Sequence, residues 1–111
     1  MATVHRIRLR GAWRIERRDD GSATFERNFG SPRTLDDGET VWLVCDAVPG
    51  YGAVWVNGSK IGDAVAGSAF ESDVTGVMGV RNSVRFQLGG VEVEQLGEVG
   101  LEFRGGIGDG N

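Results

Sequence analysis

Polar and apolar residues alternate with a period of two along most of this chain, and no window of a dozen residues carries the three-and-four spacing of an amphipathic helix. His5, Ile7 and Leu9 share one face of a first strand, opposite Arg6, Arg8 and Arg10. Gly11 interrupts it as a bulge or bend, and Trp13 and Ile15 continue in extended form to the turn Asp19-Asp20-Gly21. Ala23 to Phe29 sets Phe25 and Phe29 against Glu26 and Asn28, and Gly30-Ser31-Pro32 ends it. The most apolar run, Thr40 to Val48, puts Val41, Leu43 and Cys45 on one face and Trp42, Val44 and Asp46 on the other.

Pro49-Gly50 closes that run, and Ala53 to Val56 leads into Asn57-Gly58, which accepts the positive φ angles of a two-residue hairpin turn before Ser59 to Gly62 returns. A short helical turn is expected at Asp73-Val74-Thr75, capped by the aspartate. Asn82 to Leu88 points Val84, Phe86 and Leu88 inward, and Val91 to Gln95 is expected to form a terminal hairpin with Val99 to Arg104. About eight short strands separated by glycine- and aspartate-rich turns predict an all-β antiparallel sandwich or barrel. Residues 1 to 104 make one domain, and the glycine-rich 105 to 111 a flexible tail.

Length and charge narrow the function. At 111 residues there is room for one core. The segment to Leu35 carries net charge +4 and the remainder −8, a total of −4 that disfavours general nucleic-acid binding. The segment from Met1 to Trp13 has no apolar stretch of a secretory signal, and no run could span a bilayer, so the expected location is cytoplasmic with no membrane partner. A single cysteine, Cys45, excludes an internal disulfide and a zinc cluster.

Several spaced elements resemble a known family. Ala53-Val54-Trp55-Val56-Asn57-Gly58-Ser59-Lys60-Ile61-Gly62, then Phe70, Asp73-Val74-Thr75 and Asn82-Ser83-Val84-Arg85-Phe86, resemble the sugar-binding jelly-roll domain of the family 2 glycoside hydrolases, which include β-galactosidases and β-glucuronidases. Gly11-Ala12-Trp13, Phe25-Glu26-Arg27-Asn28-Phe29 with Pro32, and Glu39-Thr40-Val41-Trp42-Leu43 extend the likeness over Leu9 to Leu88. The resemblance implies a galactose-binding-domain-like β-sandwich. It also implies that the catalytic glutamates of those hydrolases sit on a separate barrel, for which this chain has no room, so enzyme activity is not expected.

The remaining residues agree. Asp19-Asp20 and Asp36-Asp37 each precede a turn glycine, where aspartate bonds backbone amides, rather than forming the spaced pair of a glycosidase. His5 belongs at the edge of the core, and Cys45 is a small buried hydrophobe. No metal-ligand spacing is present and no cofactor is expected; a structural calcium held by carbonyls and aspartates, which several sandwiches of this kind use, has no visible ligand set here. Gly106 to Gly110 is set aside as a phosphate loop because no helix follows it. A sugar site needs an aromatic platform beside hydrogen-bonding groups. Trp55, outward from Val54 and Val56, is the candidate platform, with Asn57 and Asp63 as polar partners.

Trp42 and Val44, on the second face of an already apolar strand, are the candidate interface of a homo-oligomer; the terminal hairpin or the N-terminal strand folding over them is the competing account. The expected function is therefore a non-catalytic binding module for carbohydrate. The alternative is a structural or protein-interaction domain that binds protein, including itself.

Overall fold

The computed structural model describes residues 5–31, 33–92 and 95–105. Among them the chain forms nine strands and no helix: β1 His5–Arg8, β2 Arg14–Arg17, β3 Ala23–Gly30, β4 Glu39–Cys45, β5 Tyr51–Val56, β6 Ser59–Ala64, β7 Phe70–Asp73, β8 Arg81–Gly89 and β9 Val99–Gly105. All pairings are antiparallel, in a four-stranded sheet of order β1-β9-β4-β7 and a five-stranded sheet of order β2-β3-β8-β5-β6. The chain passes repeatedly from one sheet to the other, as the expected antiparallel sandwich requires.

Alternation decides what lies between the sheets. Val54, Val56, Val84 and Phe86 are fully buried, and Val41, Leu43, Leu101 and Phe103 face them from the other sheet at no more than 2% exposure. The rings of Phe70 and Phe86 meet edge to face across the layers, 6.2 Å between centroids. Each such side chain contributes about 1.5 to 3 kcal/mol by leaving water.

The motif residues turn out to be joints of the scaffold. Asn57 and Gly58 take φ of 53° and 82°, both positive as a two-residue hairpin loop demands. The Asn57 amide donates to Val77 O at 2.8 Å and to Asn82 Oδ1 at 2.9 Å, while its Oδ1 accepts from the Ser83 amide at 2.9 Å. Asn82, buried at 4%, holds both the N–H and the C=O of Gly79. The turn expected after Asp73 forms: Asp73 Oδ1 accepts from the Thr75 amide at 2.9 Å, and Thr75 Oγ1 accepts from the Val41 amide at 3.0 Å.

Two expectations are corrected. No hairpin of Val91 to Gln95 with Val99 to Arg104 forms: β9 pairs with β1 on one side and β4 on the other, which leaves it no free edge. Val91 instead tucks inward at 3% exposure, its amide donating to Gly21 O, and residues 93–94 lie outside the described residues. The strand absent from the sequence reading is β7, four residues beside β4. Of the expected tail, Gly105 belongs to β9, and residues 106–111, with the glycine run, lie outside the described residues.

The doubly apolar strand β4 is covered within one chain. Val44 is 4% exposed. Its register partner on β9 is Gly100, and the stem of Arg6 lies over the space a side chain there would fill, its Cγ 3.3 Å from that Cβ position. Arg6 is anchored to Glu102 at 3.1 Å and Asp46 at 3.4 Å, so aliphatic stems cover apolar surface while their charges pair at the rim. The N-terminal strand, two places from β4 in the same sheet, therefore reaches this face with the Arg6 stem across β9 rather than by folding over it.

Candidate functional site

The outer face of the five-stranded sheet collects polar side chains around two aromatic rings. Antiparallel register sets Arg14, Glu26, Arg85, Trp55 and Lys60 in one row across β2, β3, β8, β5 and β6, and Glu16, Thr24, Gln87, Ala53 and Asp63 in the next. Because β5 alternates, Tyr51, Ala53 and Trp55 all point outward from it. Tyr51 is 63% exposed, and its ring lies over the glycines of β8 and the following turn: a Cβ at Gly90 would stand 3.0 Å from the ring. Gly52 brings β5 against β8 so closely that a Cβ there would meet Gln87 O at 2.1 Å, which glycine alone avoids.

Trp55 is half-buried, its indole N–H has no protein partner, and the Arg85 guanidinium carbon lies 5.4 Å from the ring centroid. A register shift between Val54 and Trp55 marks a bulge at this point of the β5–β6 pair, a feature that re-aims side chains. Beside the indole a small hollow of about 70 Å³ is walled by Glu26, Gly58, Ser83 and Arg85. Across Arg85 and Glu26 it adjoins a second, of about 450 Å³, whose walls include Arg14, Arg18, Thr24 and Gln87. Glu26 is engaged by Arg14 at 2.9 Å and Glu16 by Arg18 at 3.1 Å.

The structure brings Trp55 and Asp63 to the same face but removes Asn57 from it. Asp63 lies one row from Trp55, ion-paired to Lys60 at 2.8 Å. Both Asn57 donors are occupied within the scaffold and its oxygen caps Ser83, so this side chain sets the hairpin rather than greeting a ligand. Trp42 lies on the opposite sheet beneath Arg104, and Val44 is buried beside it. Tyr51, Arg85 and Gln87 were missed by the sequence reading, though their parity with Trp55 on β5 and opposition to Val84 and Phe86 on β8 were there to find.

A hollow of about 640 Å³ at the loop end is lined by Ala47, Val48, Pro49, Gly67 and Leu96 among others and holds no aromatic ring, and one of about 420 Å³ is walled by Trp13, Phe25, Arg10 and Glu98. Among the described residues no three His, Cys, Asp or Glu side chains converge as a metal centre would need. Of the two aspartate pairs, Asp20 accepts from the Ser22 hydroxyl at 2.6 Å and its amide at 2.9 Å, and these bonds hold its carboxyl below the ordinary range. Glu39 is pushed down by the Arg33 guanidinium, the opposite of what a general acid needs. Burial raises the Cys45 thiol, which donates to Ala47 O at 3.4 Å and is no nucleophile.

No protein-family model matches the chain, and no curated protein matches it. Solved structures do. An FMN-binding β-glucuronidase from Facaelibacterium prausnitzii L2-6 superposes over 93% of this chain and 23% of its own with a TM-score of 0.72 at 19% identity. An uncultured Clostridium sp. β-glucuronidase gives 92%, 29%, 0.69 and 15%, and a β-D-glucuronidase of Dictyoglomus thermophilum 94%, 28%, 0.70 and 11%, in the same order. The fold is shared with β-glucuronidases. The fold that the family 2 resemblance implied is thus the one found, and the chain spans about a quarter of the length of these enzymes. No helix is long and apolar enough to cross a membrane among the described residues.

Proposed function

We propose that this domain is a non-catalytic carbohydrate-binding module that holds an oligosaccharide along β5 on the outer face of the five-stranded sheet. One observation carries the reading: Tyr51 and Trp55 stand on the same side of one strand with only Ala53 between them. Four residues of strand separate them by about 14 Å, longer than one pyranose ring, so a ligand touching both is a chain of sugars rather than a monosaccharide. Thr24, Ser83 and Gln87 supply neutral hydrogen-bonding groups on β3 and β8 beside this line. Aromatic faces take the C–H faces of sugars while such side chains take the hydroxyls.

Sharing a fold with a quarter of each β-glucuronidase supports a module of a sugar-active assembly, with catalysis supplied elsewhere. A glycan array followed by calorimetry tests the proposal. Oligosaccharides should bind and monosaccharides bind far more weakly; Tyr51→Ala and Trp55→Ala should each weaken the oligosaccharide by about two- to tenfold, the worth of one aromatic contact, with circular dichroism unchanged. An array with no bound glycan would contradict it.

A further inference from the structure

We propose that Asn57 is a self-modification site that the fold keeps shut: the Asn57-Gly58 peptide deamidates only in molecules whose hairpin tip has parted from β8, and the product no longer fits its place. The proposal goes beyond the carbohydrate reading and stands independently of it.

Asparagine before glycine meets the least steric resistance to deamidation, because no side chain shields the next backbone nitrogen, and the space around Gly58 is open. In the reaction the Gly58 nitrogen, losing its proton to solvent, bonds to the Asn57 side-chain carbon, and the amide nitrogen leaves as ammonia. Water then opens the five-membered imide, at one carbonyl to aspartate and at the other to isoaspartate. Water is the sole co-reactant, and Asn57 and Gly58 are both exposed at the tip, so it has access. The other asparagines with a following residue lack the glycine, since Asn28 precedes Phe29 and Asn82 precedes Ser83.

What holds the reaction back is the leaving nitrogen. Asn57 Nδ2 donates to Val77 O at 2.8 Å and to Asn82 Oδ1 at 2.9 Å, and Asn57 Oδ1 accepts from the Ser83 amide at 2.9 Å. The backbone is tied to β8 as well, the Asn57 N–H donating to Ser83 O at 2.9 Å. Ring closure turns the planar amide tetrahedral and loss of ammonia forfeits both Nδ2 bonds, so the reaction waits on a local opening of the tip.

The product cannot take the old place. A carboxylate sets an acceptor oxygen against the two acceptors that Nδ2 now serves, one of them on Asn82, which is 4% exposed. Isoaspartate instead lengthens the main chain by one carbon inside a two-residue turn built on φ angles of 53° and 82°. A molecule that has opened long enough to react is therefore marked irreversibly and opens more readily afterwards.

The test is peptide mapping by mass spectrometry of the whole chain after incubation in mildly alkaline buffer, either folded or in enough urea to unfold it by circular dichroism. The tryptic peptide from Thr34 to Lys60 holds Asn57 as its one asparagine, and its amide-to-acid mass gain reports the conversion. In urea Asn57 should convert faster than Asn28 and Asn82, and in the folded chain it should convert more slowly than in urea by about tenfold or more. Asn57→Asp, which stands in for one product, should unfold at lower urea than the parent or fail to fold. Equal rates at Asn57 in the folded and unfolded chain would overturn the closed site. An Asn57→Asp protein as stable as the parent would overturn the misfit of the product.

Discussion

The Arg104 guanidinium carbon lies 4.3 Å from the centroid of the Trp42 ring, and the same group bonds Glu102 at 2.7 Å and Glu71 at 3.1 Å. The Glu71 hydrogen bond, with that of Glu102, holds Arg104 above its ordinary pKa, so the cation is permanent where it covers the indole. Side chains of β9 and β7, the two neighbours of β4, thus close over Trp42 from within the chain. Trp42→Ala should lower stability by about 2 to 4 kcal/mol in urea, with no change in molar mass by light scattering. A dissociated oligomer with unimpaired stability would place Trp42 between copies instead.

The faces assigned by alternation give a second expectation. Val56→Ala and Leu43→Ala, both at fully buried positions, should each cost about 2 to 4 kcal/mol, whereas Val80→Ala at 83% exposure should stay within about 0.5 kcal/mol. Chemical unfolding of the three variants checks the contrast.

Alternation succeeded because a sandwich strand buries one face, and β5 and β8 state theirs without ambiguity. It failed at Val91 because a buried apolar residue in a short run reads the same whether it pairs in a ladder or tucks under a turn. Nor does any periodicity show that Arg6 and Arg104 lay their stems and charges over the second face of β4. At the site, Trp55 stood out by composition alone, while Tyr51 follows a Pro-Gly turn and takes its place on the platform only through the glycines beneath its ring.

Asn57 separates scaffold from site. Asn57→Ala puts a Cβ-bearing residue without a polar side chain at φ 53° and removes its bonds to Val77, Asn82 and Ser83, so a loss of about 2 to 4 kcal/mol is expected from backbone strain and lost hydrogen bonds. Thermal unfolding should show the loss, and the affinity of the remaining folded protein for an oligosaccharide should be unchanged. Weaker binding at full stability would return Asn57 to the site.

Acid sensitivity should centre on Glu39. Arg33, bonded to it at 2.9 Å, and the Asp36 amide at 3.0 Å lower its pKa in the folded chain. Its contribution is therefore complete above the ordinary glutamate value of about 4.3 and is lost as the pH falls through the depressed folded value. Glu39→Gln should be less stable than the parent at neutral pH, and the gap should close below that range in urea titrations at stepped pH. A gap independent of pH would deny the ionic role.

The three tryptophans make the central claim directly measurable, because each gives its own indole N–H signal in a heteronuclear spectrum. Trp13 bonds Leu9 O at 3.1 Å and Trp42 bonds Thr40 Oγ1 at 3.0 Å, while the Trp55 indole N–H has no protein partner. Titration with an oligosaccharide found on the array should shift the Trp55 indole and the amides of Tyr51, Arg85 and Gln87, leaving the Trp13 and Trp42 indoles in place. Shifts confined to the loop end or to the Trp42 sheet, with Trp55 unmoved, would contradict the account.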